Sequence, residues 1–297
     1  MTSIESETAA DLQQWIDRLT QAARDGELLE LASSGSVDPA DAQSSGSDRC
    51  VPAAALRRVL TSSDLTVDPR GLRISGARVC EKLELAHLVF PYPLHLVDCV
   101  LDAPIDLSGS QLKELSLEGS HAQQVTLNGA HINGDVLAKG IEADGGVSAP
   151  GVRIEGGVDL GEAKLRNADG EALSLDDAQI TGDVIANDCE ANGAVSAWQA
   201  QIGGQLILID AKLRNADGNA VLMDRAQITG EVFANGCEVD GTVRAAGIQI
   251  GGFLQLPKAK LRGAGGIAQL GLAEVKDSTN VGARRPDYAV DFEAAGD

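Results

Sequence analysis

Aromatic residues make up only 3% of this 297-residue chain: two tryptophans, two tyrosines and four phenylalanines. An interior that is narrow and filled by Ala, Val, Ile and Leu accounts for that scarcity. Long apolar runs are missing too. None approaches the roughly 18 residues that a membrane-spanning helix needs, and no basic stretch leads into an apolar segment at the start, as a secretory signal would require. We therefore expect a soluble, cytoplasmic protein. Cysteine is sparse, with five residues (Cys50, Cys80, Cys99, Cys189 and Cys237) and no CxxC pair, which fits a reducing compartment. Positive charge is also scarce. The chain has 24 Lys and Arg against 44 Asp and Glu, a net charge of −20. Residues 1–70 hold 12 acidic and 6 basic residues, so the remainder holds 32 and 18 and is itself acidic. This argues against direct contact with nucleic acid or an anionic membrane, whose phosphates need Lys and Arg. It allows a basic protein partner, and it keeps a β-rich protein in solution.

Signatures of catalysis are missing as well. There is no GxSxG and no HExxH. His87, His95, His121 and His131 all lie in the first half of the rod, three of them at or beside outward positions, without the converging partners that zinc or acid–base chemistry needs. Residues 263–268 match a GxGxxA fingerprint, but they align 48 residues on from the loop at 215–218 and lack a surrounding βαβ unit. We expect no enzyme activity, no cofactor and no metal.

What is present is repetition. Residues 130–273 carry nearly the same 48-residue unit three times, starting at Ala130, Ala178 and Ala226. A fixed period of this length means stacked repeats. Each unit divides into blocks of five and six residues that end in apolar-x-apolar, such as Val136/Ala138, Ile141/Ala143, Val147/Ala149 and Val152/Ile154. Residues at i and i+2 face the same side of an extended chain. Each block is therefore a very short strand with two inward residues, followed by a turn rich in Gly, Asn and Asp. Eight blocks per unit fit two four-sided coils of about 22 and about 26 residues. The grammar runs over 71–280 and predicts an all-β, single-stranded β-solenoid of about nine coils. Cys189 and Cys237 take the slot that Ile141 fills in the first unit, so they are inward packing residues.

Upstream, 7–31 reads as a helix through the stripe Ala10, Leu12, Trp15, Leu19, Ala22 and Ala23, and 52–61 as a second short helix. Residues 33–50 read as a mobile loop. We expect the helices of the 1–70 region to cover an open solenoid end, which otherwise invites aggregation. Residues 281–297 lose the pattern and read as a flexible tail.

The stretches 106–112 and 127–132 resemble the repeats of pentapeptide-repeat proteins. That resemblance implies a right-handed, square β-helix. The alternation of Gly-x-Val-x-Ala with Val and Ile is also similar to bactofilins, the second choice. Some pentapeptide-repeat proteins imitate duplex DNA and occupy the DNA saddle of type II topoisomerases. The resemblance therefore implies a second function, with Asp135, Asp183 and Glu231 as candidate mimic acids.

Two exposed features stand out as candidate contacts. The row Leu137, Ile185 and Phe233 lies between inward pairs and, with Ile207 and Trp198, predicts an outward apolar strip for a protein or homodimer contact. The loops at 166–170 and 214–218 lengthen one corner on every second coil and present Arg166 and Asp169, then Arg214 and Asp217. The C-terminal coil is a further candidate homodimer face. The leading expectation is a rigid, acidic, non-enzymatic binding scaffold.

Overall fold

The computed structural model describes residues 2–31 and 49–262, with two further short strands at Glu274–Val275 and Asp291–Phe292. The chain folds as a parallel β-solenoid of about nine turns behind an N-terminal helix. Its strand pairings are parallel and fall into two continuous sheets of 17 and 14 strands. Most turns contribute two two-residue strands and one longer strand, whose two ends stack separately, so that four ladders run along the axis. One is a glutamine ladder, with Gln179, Gln201, Gln227 and Gln249 in register. The next carries Val136, Val158, Val184, Leu206, Val232 and Leu254 and is called here the apolar ladder. The third is charged, and the fourth carries Asp106, Thr126, Ser148, Ser174, Ser196, Leu222 and Arg244 in register.

The register reproduces the expected pitch. From Val158 to Val184 is 26 residues, to Leu206 another 22, to Val232 another 26 and to Leu254 another 22. Most inward residues are buried, including Ser110 and Ser120 in place of alanine, while Val195, Leu208, Met223, Val243 and Leu254 are partly buried. Ser120 is satisfied there: its hydroxyl donates to the Leu96 carbonyl at 2.7 Å and accepts the Cys99 N–H at 2.9 Å. The thiols of Cys99, Cys189 and Cys237 are each pushed up to about 12 by burial, so they pack as apolar groups.

Interior side-chain size explains why the unit spans two turns. The turn holding Leu160, Leu165, Leu173 and Leu175 is followed by one holding Ala186, Ala191, Val195 and Ala197. Leu208, Leu213, Val221 and Met223 come next, then Ala234, Val239, Val243 and Ala245. A large layer thus alternates with a smaller one along the axis: Leu165 is in register with Ala191, Leu173 with Val195 and Leu213 with Val239, as interlocking layers require. Near the C-terminal end the small layer leaves a wholly apolar cavity of about 160 Å³, lined by Met223, Ala234, Cys237, Ala245 and Leu256 among others.

Corners use more than glycine. Among the described residues nine non-glycine residues lie in the left-handed region, including Asp98, Asp177, Asp188 and Asp210, but also His87, Glu162, Gln199, Arg225 and Lys258. Left-handed backbone costs a non-glycine residue roughly 1–2 kcal/mol. Bonds to the following turn hold it: the Glu162 N–H donates to Asn187 O at 2.7 Å, and the Arg225 N–H to Ala246 O at 2.9 Å.

At the N-terminal end, α1 (Thr2–Asp25) and α2 (Ala53–Leu60) pack on each other and on the first strands. Trp15, Leu19, Ala22 and Ala23 are buried, whereas Ala10 is exposed. Helix α1 is shorter than 7–31 at its end. Gly26, at φ 59°, stops it. Leu28–Glu30 then adds a parallel strand on Leu72–Ser75. The open edge is therefore covered by a strand of the cap as well as by its helices. The expected loop 33–50 lies outside the described residues except for its last two. Within the expected tail, Asp291–Phe292 pairs with Lys260 and Leu261, and in the last part of the expected solenoid Glu274–Val275 pairs with Gln249 and Ile250.

Candidate protein-contact surface

On the apolar ladder the outward residue follows the inward one. Reading along the axis, it is Leu137, Asp159, Ile185, Ile207, Phe233 and Gln255. Ile185, Ile207 and Phe233 therefore stack without interruption, about 4.8 Å apart. Leu137 is in the same row but is separated from them by Asp159. Leu137, Asp159 and Ile185 line a shallow groove of about 310 Å³ with Asp135 and Asp183. Trp198 stands apart from the column. It is 40% exposed and occupies the turn between Glu190–Ser196 and Gln201–Ile202, where its backbone N–H donates to Asp176 Oδ1 at 2.8 Å. Phe253, which the sequence reading did not single out, is 48% exposed immediately before Leu254. Aligning the 22-residue step from Glu231 would have found it.

Asp135, Asp183 and Glu231 occupy one column at the edge of this ladder, on every second turn. Gly157, Gln205 and Phe253 stand between or beyond them. Two of these acids brace the backbone. Asp135 Oδ1 accepts the Gly157 N–H, and Asp183 Oδ1 accepts the Gln205 N–H, each at 2.7 Å. Glu231 accepts from the Gln205 side chain at 2.8 Å.

The Arg-Asn-Ala-Asp-Gly segments lie inside the long strands Lys164–Ser174 and Lys212–Leu222, as bulges against the shorter turn between them. The Asn167 amide donates to Glu171 O at 3.0 Å, and the Asn215 amide to Asn219 O at 2.9 Å, so each loop is closed by its own asparagine. Arg166 is drawn back onto the rod by Asp144 at 3.0 Å and Glu142 at 3.3 Å. Asp169 is exposed, Arg214 is exposed between Asn192 and Asp240, and the Asp217 side chain lies outside the described set.

The sequence reading missed the charged ladder. Glu142, Lys164, Glu190, Lys212, Glu238 and Lys260 stack in strict alternation. Lys164 reaches Glu142 at 2.7 Å, Lys212 reaches Glu190 at 2.7 Å, and Lys260 reaches Glu238 at 2.8 Å. The lysine beside each glutamate holds its carboxyl below the ordinary range. The signal was available: the glutamates recur every 48 residues, the lysines do likewise, and the two sets are offset by one 22-residue turn.

Three histidines pair with carboxylates of the following turn: His95 with Glu114 at 2.7 Å, His121 with Asp144 at 3.0 Å and His131 with Glu155 at 3.5 Å. No cluster able to hold a metal occurs among the described residues, and none of the described helices is long and apolar enough to cross a membrane. The GxGxxA segment at 263–268 lies outside the described residues. No family model matches the chain, and no curated protein matches it.

Proposed function

We propose that the protein is a non-enzymatic scaffold that presents one face of a stiff acidic rod to a protein partner. The observation that carries this reading is the unbroken outward column Ile185, Ile207 and Phe233. Apolar side chains on an outward row do little for the interior; these three are partly exposed, and a contiguous set of them suits a contact surface. The flanking acids Asp183 and Glu231 suit a partner with basic residues around an apolar centre. The same column is the candidate face for a homodimer. A photo-crosslinking residue at Ile207, compared with one at Gln201 on the glutamine ladder, tests it. Adducts to a protein are expected at 207 and not at 201. Equal labelling at the two positions would refute it.

A second reading is supported by the single column of Asp135, Asp183 and Glu231 and by the net charge of −20. Here the rod imitates duplex DNA and binds a type II topoisomerase. Against it, acids also occupy other corners, at Glu162, Asp188, Asp210, Asp176 and Asp224, and the charged ladder is internally neutralised. That scatter ranks the scaffold first. A gyrase supercoiling assay separates the two. Inhibition relieved by salt and by neutralising the three acids together supports mimicry, and none at large excess removes it.

A further inference from the structure

We propose that Cys50 and Cys80 are a redox-active pair whose disulfide fastens the N-terminal cap to the first turn of the solenoid. Their sulfurs lie 3.1 Å apart. A disulfide needs about 2.05 Å, so a shift of about 1 Å closes the bond. The two residues are brought together by the fold, across thirty positions of sequence. Cys50 bridges to Arg78 in parallel register, and the Val51 N–H donates to Arg78 O at 2.8 Å. Cys80 follows two residues later at the end of the strand Arg78–Val79 and is exposed, while Cys50 is half-buried. A small oxidant therefore reaches the pair. The other three cysteines are buried within the solenoid and are out of such reach.

Partial burial and the neighbouring Cys50 push the Cys80 thiol up to about 12. The co-reactant is a small-molecule disulfide. One cysteine of the pair gives its proton to solvent and, as the thiolate, attacks one sulfur of that disulfide, forms a mixed disulfide and expels one thiolate. The other cysteine then gives its proton to solvent, attacks the Sγ of the first, forms the Cys50–Cys80 bond and expels the second thiolate. The pair loses two electrons and two protons, and the small-molecule disulfide is reduced to two thiols. The new bond closes a loop containing α2 and the first strand of the solenoid, so it restrains the unfolded chain as well as the cap.

The test uses the full-length chain, reduced and then held in oxidised glutathione, alkylated without reduction and mapped by mass spectrometry. Two thiols per chain should be lost, in one cross-linked peptide joining residues 50 and 80. Oxidised protein should melt several degrees above reduced protein. In Cys80→Ser, a glutathione adduct on Cys50 should persist unresolved. Circular dichroism of Cys50→Ser and Cys80→Ser under reducing conditions should match the parent, which separates lost chemistry from lost folding. The proposal is overturned if the parent accumulates the same adduct as Cys80→Ser, if the pair stays reduced, or if Cys50 links to another cysteine.

Discussion

The alternation of large and small interior layers makes a quantitative demand on Leu165 and Ala191, which are direct register partners in successive turns. Leu165 is fully buried, and its neighbours on the same ladder are Ala143 and Ala191. Leu165→Ala removes three carbons between two alanines that cannot move in to fill the space. A cost of about 4 kcal/mol follows, in the upper half of the range for buried Leu→Ala changes. Ala191→Leu instead inserts an isobutyl group between Leu165 and Leu213, an overpacking expected to cost about 2 kcal/mol. Independent sites would add to about 6 kcal/mol. In the double variant, however, the Leu at 191 faces the space vacated at 165, one strand spacing of about 4.8 Å away. The double variant should therefore fall short of the sum by about 1.5 kcal/mol. Urea unfolding followed by far-UV circular dichroism gives the three differences, provided the m-values agree. Repeat arrays can lose two-state behaviour, so hydrogen exchange of amides 163–191 is the second readout. Additivity within about 0.5 kcal/mol would refute the interlocking of layers.

Two further perturbations follow. At Gly193, φ is 128° and an added Cβ would run into the Asn167 carbonyl, whereas at Gly129 φ is 63° with nothing within 4 Å. Gly193→Ala should then cost at least about 2 kcal/mol and Gly129→Ala about 1 kcal/mol, and equal losses in chemical denaturation would contradict the nesting of the short turn under the loop. The glutamates of the charged ladder have folded pKa values below the ordinary 4.5. The unfolded chain therefore binds more protons in that window, and their stabilisation is complete above the unfolded value and is lost as pH falls through the lowered folded value. Tm followed from about pH 6 to about pH 3 should drop more steeply for the parent than for Lys212→Met, and 1 M salt should narrow the gap; identical slopes would show that the rungs contribute nothing.

The inward set was legible in the sequence because it depends only on a local rule. Residues i and i+2 of an extended strand share a face whatever lies above or below, so Val136/Ala138 or Ile141/Ala143 reveal themselves without a partner. The 48-residue period likewise fixed two turns of unequal length, because a loop that recurs in step must recur on the same corner. Relations between turns were not legible in this way. Whether Glu190 meets Lys212 depends on a 22-residue step in register, and a slip of one residue would bring Ala191 opposite Lys212 instead. The same dependence isolates Leu137 behind Asp159, moves Trp198 away from Ile207, and turns Asp135 and Asp183 into braces for backbone N–H groups one turn on. It also brings Cys50 to Cys80, thirty residues away, through a bridge to Arg78 that no spacing in the sequence announces. The sequence alone determined what points inward and how often the chain returns. The tertiary structure decided who stands next to whom along the axis, because stacking register is set by the summed length of every corner in a turn.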